Sequence, residues 1–275
     1  MNFEQYQAIP AINASAIKRG LISMKHMRSA MTDKDDADSP SLRWGRLFHK
    51  SILENAEFNA LVSVFKGDKR TKEWKEFKAD HEPEWIVTSD ELSALTAMRD
   101  SVMQNPDAAR LIDGMVNELV VEWSGEFYGA AKARLDGWHE KKGVLELKTT
   151  RVIPPKAFAG QFAKLSYDIS AGWYSEGVRL AGLCNDLPAY TVLAVENVKP
   201  FDCAVYTIPR MVIEIGLKRA RKIAEEYRLC EKAGRWPGVC DGVQELEMPS
   251  WWGEDEIMEG FFESAKEQLG MGEEI

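Results

Sequence analysis

Two carboxylates and a lysine stand close together in the middle of the chain. They are Asp136, Glu146 and Lys148, within A-R-L-D-G-W-H-E-K-K-G-V-L-E-L-K-T-T over residues 133–150. The V-L-E-L-K run alternates apolar and charged residues. As a strand it sets Glu146 and Lys148 on one face and Leu145 and Leu147 on the other. An antiparallel neighbour carrying Asp136 brings the second carboxylate beside them. Two carboxylates in a partly apolar setting repel unless a positive charge lies between them. A hard divalent ion such as Mg²⁺, with Mn²⁺ as a substitute, takes oxygen ligands and leaves room for water and phosphate. Lys148 could then orient the attacking water or stabilise charge developing on the phosphate. The chemistry would be metal-assisted phosphodiester hydrolysis. Taken alone, the spacing is also that of an ordinary hairpin with exposed Glu and Lys on paired strands.

Other residues could join this trio. His49 lies in L-R-W-G-R-L-F-H-K-S-I-L-E, residues 42–54, an amphipathic helical pattern. A neutral imidazole there is a competent metal ligand, although a lone helical histidine is often only a surface or packed residue. Lys132 and Arg134 alternate with Ala133 and Leu135, so both could share a strand face with Asp136 and bind backbone phosphate, or form a solvated face. Tyr167 and Tyr174 are seven residues apart, two helical turns on one side. Core packing accounts for at least one of them.

The elements that must position these residues read in order along the chain. Asn13 to Ala30 has helical periodicity with Asn13 or Ser15 as cap, followed by an acidic loop to Pro40. Leu42 to Glu54 forms a second helix, and Ser89 starts a third with a stripe of Leu92, Leu95, Met98, Val102 and Met103. The period then changes. Val116 to Trp123 and Phe127 to Leu135 read as strands about a Ser124-Gly125 turn, and Gly143 to Thr149 as a third. Phe158 to Leu183 is largely helical, Tyr190 to Glu196 and Cys203 to Ile208 are strands, and Pro209 to Gly234 is a long amphipathic helix. This order predicts one mixed α/β domain over residues 1–240. It has a helical N-terminal portion (1–115), a core (116–240) and an acidic tail (241–275) carrying Trp251, Trp252, Phe261 and Phe262.

Composition narrows the class. The chain has 275 residues, 45% hydrophobic and 29% charged, enough for a core without disulfides. Its four cysteines, Cys184, Cys203, Cys230 and Cys240, form no C-x-x-C pair, so reduced thiols in a cytoplasmic protein are expected and an iron–sulfur cluster is not. Charges interrupt every apolar run, and Met1 to Pro10 lacks a basic start before an apolar core, so neither a membrane span nor a secretory signal is expected. The net charge of −9 argues against a protein that coats nucleic acid nonspecifically, but not against one local basic face.

Together these stretches resemble the RecE-type exonucleases (exodeoxyribonuclease VIII, C-terminal domain), in the RecB-like branch of the PD-(D/E)XK superfamily. The resemblance runs from about Ser15 to about Ile208. The W-G-R-L-F-H helix is similar to the family's G-x-x-x-H segment, K-A-R-L-D-G to its second motif, and L-E-L-K-T-T to its E-x-K motif. It implies a PD-(D/E)XK core, a central mixed sheet flanked by helices. It also implies His49, Asp136 and Glu146 as ligands of Mg²⁺, with Asp136, Glu146 and Lys148 catalytic. The family's Y-x-x-Q-x-x-x-Y helix has both tyrosines here, Tyr167 and Tyr174, but Ser170 replaces the glutamine; Tyr167, Ser170 and Tyr174 are therefore expected at the DNA. The resemblance further implies digestion of double-stranded DNA ends, 5′ to 3′, leaving 3′ single strands for an annealing recombinase, by a trimeric or tetrameric ring. An endonuclease of the same fold and a catalytically silent DNA-binding or assembly protein are the alternatives.

Overall fold

The computed structural model describes residues 3–33, 39–249 and Trp252. The chain divides into two compact units, Met1–Val239 and Cys240–Ile275. In the second, residues 240–249 carry neither helix nor strand, and Trp252 N–H donates to the Pro249 carbonyl at 2.9 Å. Trp251, Phe261 and Phe262 lie outside the described residues.

The first unit begins with α1 (Phe3–Ala8), α2 (Ala14–Gly20) and α3 (Met24–Thr32). The single helix expected over residues 13–30 is thus two. Asn13 caps the first by accepting from Ala16 N–H, and Ser23 caps the second by accepting from His26 N–H, so a new helix starts where periodicity alone reads straight through. α4 (Pro40–Leu53) follows, with Ser39 as cap and proline in its first turn. Then come α5 (Asn55–Leu61), β1 (Ser63–Phe65), α6 (Lys72–Asp80), β2 (Ile86–Thr88), α7 (Ser89–Gln104) and α8 (Pro106–Ile112). β1 and β2 form a small parallel pair that no alternating pattern announces. The cap of α7 is Thr88 rather than Ser89, in a reciprocal capping box with Glu91.

The core follows as β3 (Val116–Gly125), β4 (Gly129–His139), β5 (Gly143–Thr150), α9 (Pro155–Lys164), α10 (Tyr167–Leu180), β6 (Tyr190–Glu196), β7 (Cys203–Thr207) and α11 (Arg210–Ala233). The strands make one sheet in the order β3-β4-β5-β6-β7; β5 and β6 are parallel and the other pairs antiparallel. This is the expected central mixed sheet flanked by helices. One apolar cluster joins Ile12, Ile17, Met27, Trp123, Leu135, Ile169, Trp173 and Ala220, and so packs α2, α3, α10 and α11 on the sheet. The other joins Leu47, Phe48, Ile52, Leu95 and Met98 with Leu145, Leu147 and Leu193, packing α4 and α7. Leu145 and Leu147 thus anchor β5 in one cluster and leave Glu146 and Lys148 to the other side, as the alternation requires.

The stretch expected as one helix over residues 158–183 breaks at Ser166, whose left-handed φ of 50° separates α9 from α10. α10 then crosses α11 in close contact. A Cβ on Gly216 would fall 1.8 Å from the Asp168 carbonyl oxygen, so only glycine permits the crossing that sets α10 against the sheet.

Candidate active site

β4 and β5 pair only from Gly137↔Leu145 to His139↔Gly143. The same register continued would put Asp136 opposite Glu146, but the strands part there. The Leu147 N–H donates instead to Asp136 Oδ2 at 2.7 Å, so a buried amide is satisfied and the carboxylate is fixed by one bond. On the other side of Asp136 the β3 register passes through Asn117↔Gly137 and Leu119↔Leu135, leaving Glu118 across from it. Glu118 sits at a φ of 53°, a conformation unusual for a side chain other than glycine or asparagine.

Three neighbouring strands therefore contribute one carboxylate each, and each carboxylate meets one cation. Arg134 Nε lies 2.7 Å from Glu118 Oε2, His49 Nδ1 lies 3.2 Å from Asp136 Oδ1, and Lys148 ion-pairs with Glu146. His49 arrives on α4, whose Leu47 and Phe48 are buried in the second cluster and hold the helix to the sheet. Tyr190, at the start of β6, donates its hydroxyl to Glu146 Oε2 at 3.0 Å.

The electrostatics follow from burial and crowding. Burial, then the negative charge of Asp136, push Glu118 up to about 7, with Arg134 and His49 opposing. Burial alone would also raise Asp136, yet His49, Lys148 and the Leu147 amide hold it below the usual carboxylate range. His49 is driven down by burial and further up by Asp136, for a net rise. Lys148 is likewise disfavoured by burial, but Glu146 and Asp136 raise it well above an ordinary lysine, so it stays a cation.

Ligand atoms of His49, Glu118 and Asp136 lie within 4.8 Å of one another. One imidazole nitrogen and two carboxylates, one of them pushed up to about 7 by burial and then by its neighbour, form a donor set that a hard divalent cation fits. Glu146 is not within that group; its two oxygens are engaged by Lys148 and Tyr190. The structure thus brings His49 and Asp136 together as the sequence suggests, adds Glu118, and leaves Glu146 beside them in a pair with Lys148.

α10 closes the site. Lys148 Nζ lies 5.3 Å from the centre of the Tyr167 ring, and Lys18 Nζ on α2 lies 5.0 Å from the same centre. Tyr174 is pushed well above the ordinary phenol range by burial and by Glu146, so it stays a donor. Ser170 is buried, 4% exposed, and sits beside Tyr174, whose phenol it acts to lower against that rise. Gln161 belongs to α9, where its side-chain oxygen accepts from the Thr150 hydroxyl at 3.0 Å.

Lys132 and Arg134 need a correction. Lys132 is 3% exposed, and its ammonium donates to the carbonyls of Tyr6, Gln7 and Ile9 at 2.8, 3.1 and 2.8 Å. The ammonium also lies 4.7 Å from the Tyr6 ring centre, while the Arg134 guanidinium lies 5.3 Å from that of Phe3. α1 therefore covers both residues. Alternation along β4 does predict a shared face, but it cannot reveal a helix from the far end of the chain lying on it. Glu118, Lys18 and Tyr190 were not singled out in the sequence. The pairing that sets Glu118 opposite Asp136 turns about residue 127, where Gly125 pairs with Gly129, and not at the expected Ser124-Gly125 turn.

Comparison with known proteins bears on this arrangement. A family model described as a PDDEXK-like domain of unknown function (DUF3799) matches residues 14–249. Among solved structures, one described as a "Putative exonuclease" from Eubacterium rectale is similar with a TM-score of 0.61 and 12% identity, covering 90% of this chain and 96% of its own. At that identity the likeness is one of fold. No curated protein matches the chain.

Proposed function

Because the chain belongs to the family of PDDEXK-like domains described as DUF3799, we propose that it is a metal-dependent nuclease digesting double-stranded DNA from its ends, 5′ to 3′. Membership in a PDDEXK-like family and the exonuclease-like fold support a nuclease and agree with the RecE-type resemblance. The observation that carries the reading is the row of Glu118, Asp136 and Glu146 on three adjacent strands, with His49 and Lys148 against it.

In this reading His49, Asp136 and Glu118 would hold a divalent ion, Mg²⁺ or Mn²⁺, with Glu146 as a further ligand. The ion supplies Lewis acidity toward a phosphate oxygen and toward water. Lys148, kept protonated by its acidic neighbours, offers its ammonium to the charge that develops on the phosphate. Tyr190 holds Glu146 in place so that the carboxylate can accept a hydrogen bond from the attacking water. Tyr167 and Tyr174 line the approach of the DNA strand, with Ser170 acting through Tyr174. The product, a 3′ single strand, would pass to an annealing recombinase, and a trimeric or tetrameric ring would keep the enzyme on its substrate. The setting would be the cytoplasm. No helix among the described residues is long and apolar enough to cross a membrane.

Incubation of linear and closed circular duplex DNA with Mg²⁺, then with Mn²⁺, then with chelator, tests the reading. Metal-dependent loss of linear DNA alone is the expected result. Cutting of circles would make the protein an endonuclease, and intact DNA under every metal would make it a silent relative of the fold.

A further inference from the structure

Most inward-facing lysines in this molecule have an oxygen partner. Lys132 holds three carbonyls, Lys50 bridges Glu54 and Glu57, Lys142 donates to the carbonyls of Arg110 and Asp113, and Lys148 holds Glu146. Lys18 has none: among the described residues it makes neither an ion pair nor a hydrogen bond from its ammonium, which rests on the Tyr167 ring and is half-buried. The same ring carries the ammonium of Lys148. Two like charges on one aromatic ring, one of them without a carboxylate of its own, repel each other unless an anion reaches both. Burial, then the charge of Lys148, pull Lys18 down to about 8, with Glu146 and Asp168 opposing. Asp168 acts on Lys18 only through its charge: its carboxylate is ion-paired with Arg219, whose Nη1 lies 2.5 Å from Asp168 Oδ2, and it makes no ion pair with Lys18.

We propose that Lys18 is a second phosphate-binding lysine of this site, gripping a non-bridging oxygen of the strand whose neighbouring phosphate meets Lys148. The inference rests on the nuclease reading but adds a residue outside every motif that suggests it. α2 is well placed to carry such a contact. Asn13 caps it, Ile17 is fully buried in the core, and Lys18 follows on the side facing α10. Tyr167 then acts as a shared platform that keeps the two cations apart while both face one strand.

Binding rather than cleavage provides the test. The full chain with chelator present, which keeps the DNA intact, is titrated with a short blunt duplex across a salt series. Each phosphate contact contributes roughly 0.7–0.9 to the slope of log K against log salt. Lys18→Met should weaken binding severalfold and reduce that slope by about one contact, while Lys18→Arg keeps the slope. If Lys18 merely packs on Tyr167, Lys18→Met lowers the melting temperature and leaves the slope unchanged, which overturns the proposal. A wild-type chain that binds no duplex even at low salt overturns this inference and the DNA reading together; binding with an unchanged slope in Lys18→Met overturns this inference alone.

Discussion

Strand β4 and the neighbouring β5 carry lysines with opposite fates. On β4, Lys132 and Arg134 share the alternation that delivers Asp136, yet α1 lies over both. Lys132 has become a structural clamp on three carbonyls, and Arg134 a partner for Glu118. On β5, Lys148 meets Glu146 and shares the Tyr167 ring with Lys18, which is unpaired among the described residues. Residue type and strand alternation are alike in the two places, although Lys132 lies in an antiparallel pair and Lys148 in a parallel one. What differs is whether a piece of the same chain already satisfies the ammonium. A cation bonded to backbone carbonyls is a folding device, whereas one held beside carboxylates, with a second cation nearby, is poised for an anion.

That contrast can be broken by substitution. The largest effect is expected around the carboxylate row: Asp136→Asn should abolish divalent-metal binding measured by calorimetry, and His49→Ala should weaken it by about tenfold or more. An unchanged titration for His49→Ala removes the imidazole from the ligand set. Lys132→Met should do the reverse. Three carbonyls lose a charged donor, so the fold should weaken by about 2 kcal/mol, or roughly 4–8 °C in melting temperature, with nuclease activity per folded molecule unchanged. Loss of activity without loss of stability would return Lys132 to the site. The smallest effect concerns pH. Lys18 titrates at about 8 among Tyr167 and Asp168 on α10, Glu146 and Lys148 on β5, and Arg219 on α11. Its ammonium is present below that value and lost above it. DNA affinity should therefore fall between about pH 7 and 9 in the wild type, and less in Lys18→Arg; equal profiles would contradict the assignment.

Much of the site was legible because strands are periodic. The V-L-E-L-K alternation fixed which side Glu146 and Lys148 share, and the hairpin placed Asp136 near them. The helical pattern around His49 left a packed or surface residue open; its ligand role was implied by the resemblance of W-G-R-L-F-H to the family's G-x-x-x-H segment. Glu118 was missed because a glutamate inside V-N-E-L-V-V-E-W looks like any half-exposed strand residue, and its left-handed backbone leaves no mark in the sequence. Lys18 and α1 were missed for a different reason: their roles depend on segments more than a hundred residues away in the chain. The breaks at Ser23 and Ser166 show the same limit, since a single cap or left-handed residue interrupts an apolar pattern that continues across it. Ser170, which stands where the family resemblance expects glutamine, is buried beside Tyr174.

The central claim is that Lys148, against Glu146 and the neighbouring carboxylates, assists phosphodiester hydrolysis. Its most direct test is the metal-dependent release of acid-soluble nucleotides from linear duplex DNA by purified wild type, Glu146→Ala and Lys148→Ala, each first checked for an intact fold by its thermal melt. The account predicts release by the wild type and none by either variant. Digestion by folded Lys148→Ala at the wild-type rate would contradict it.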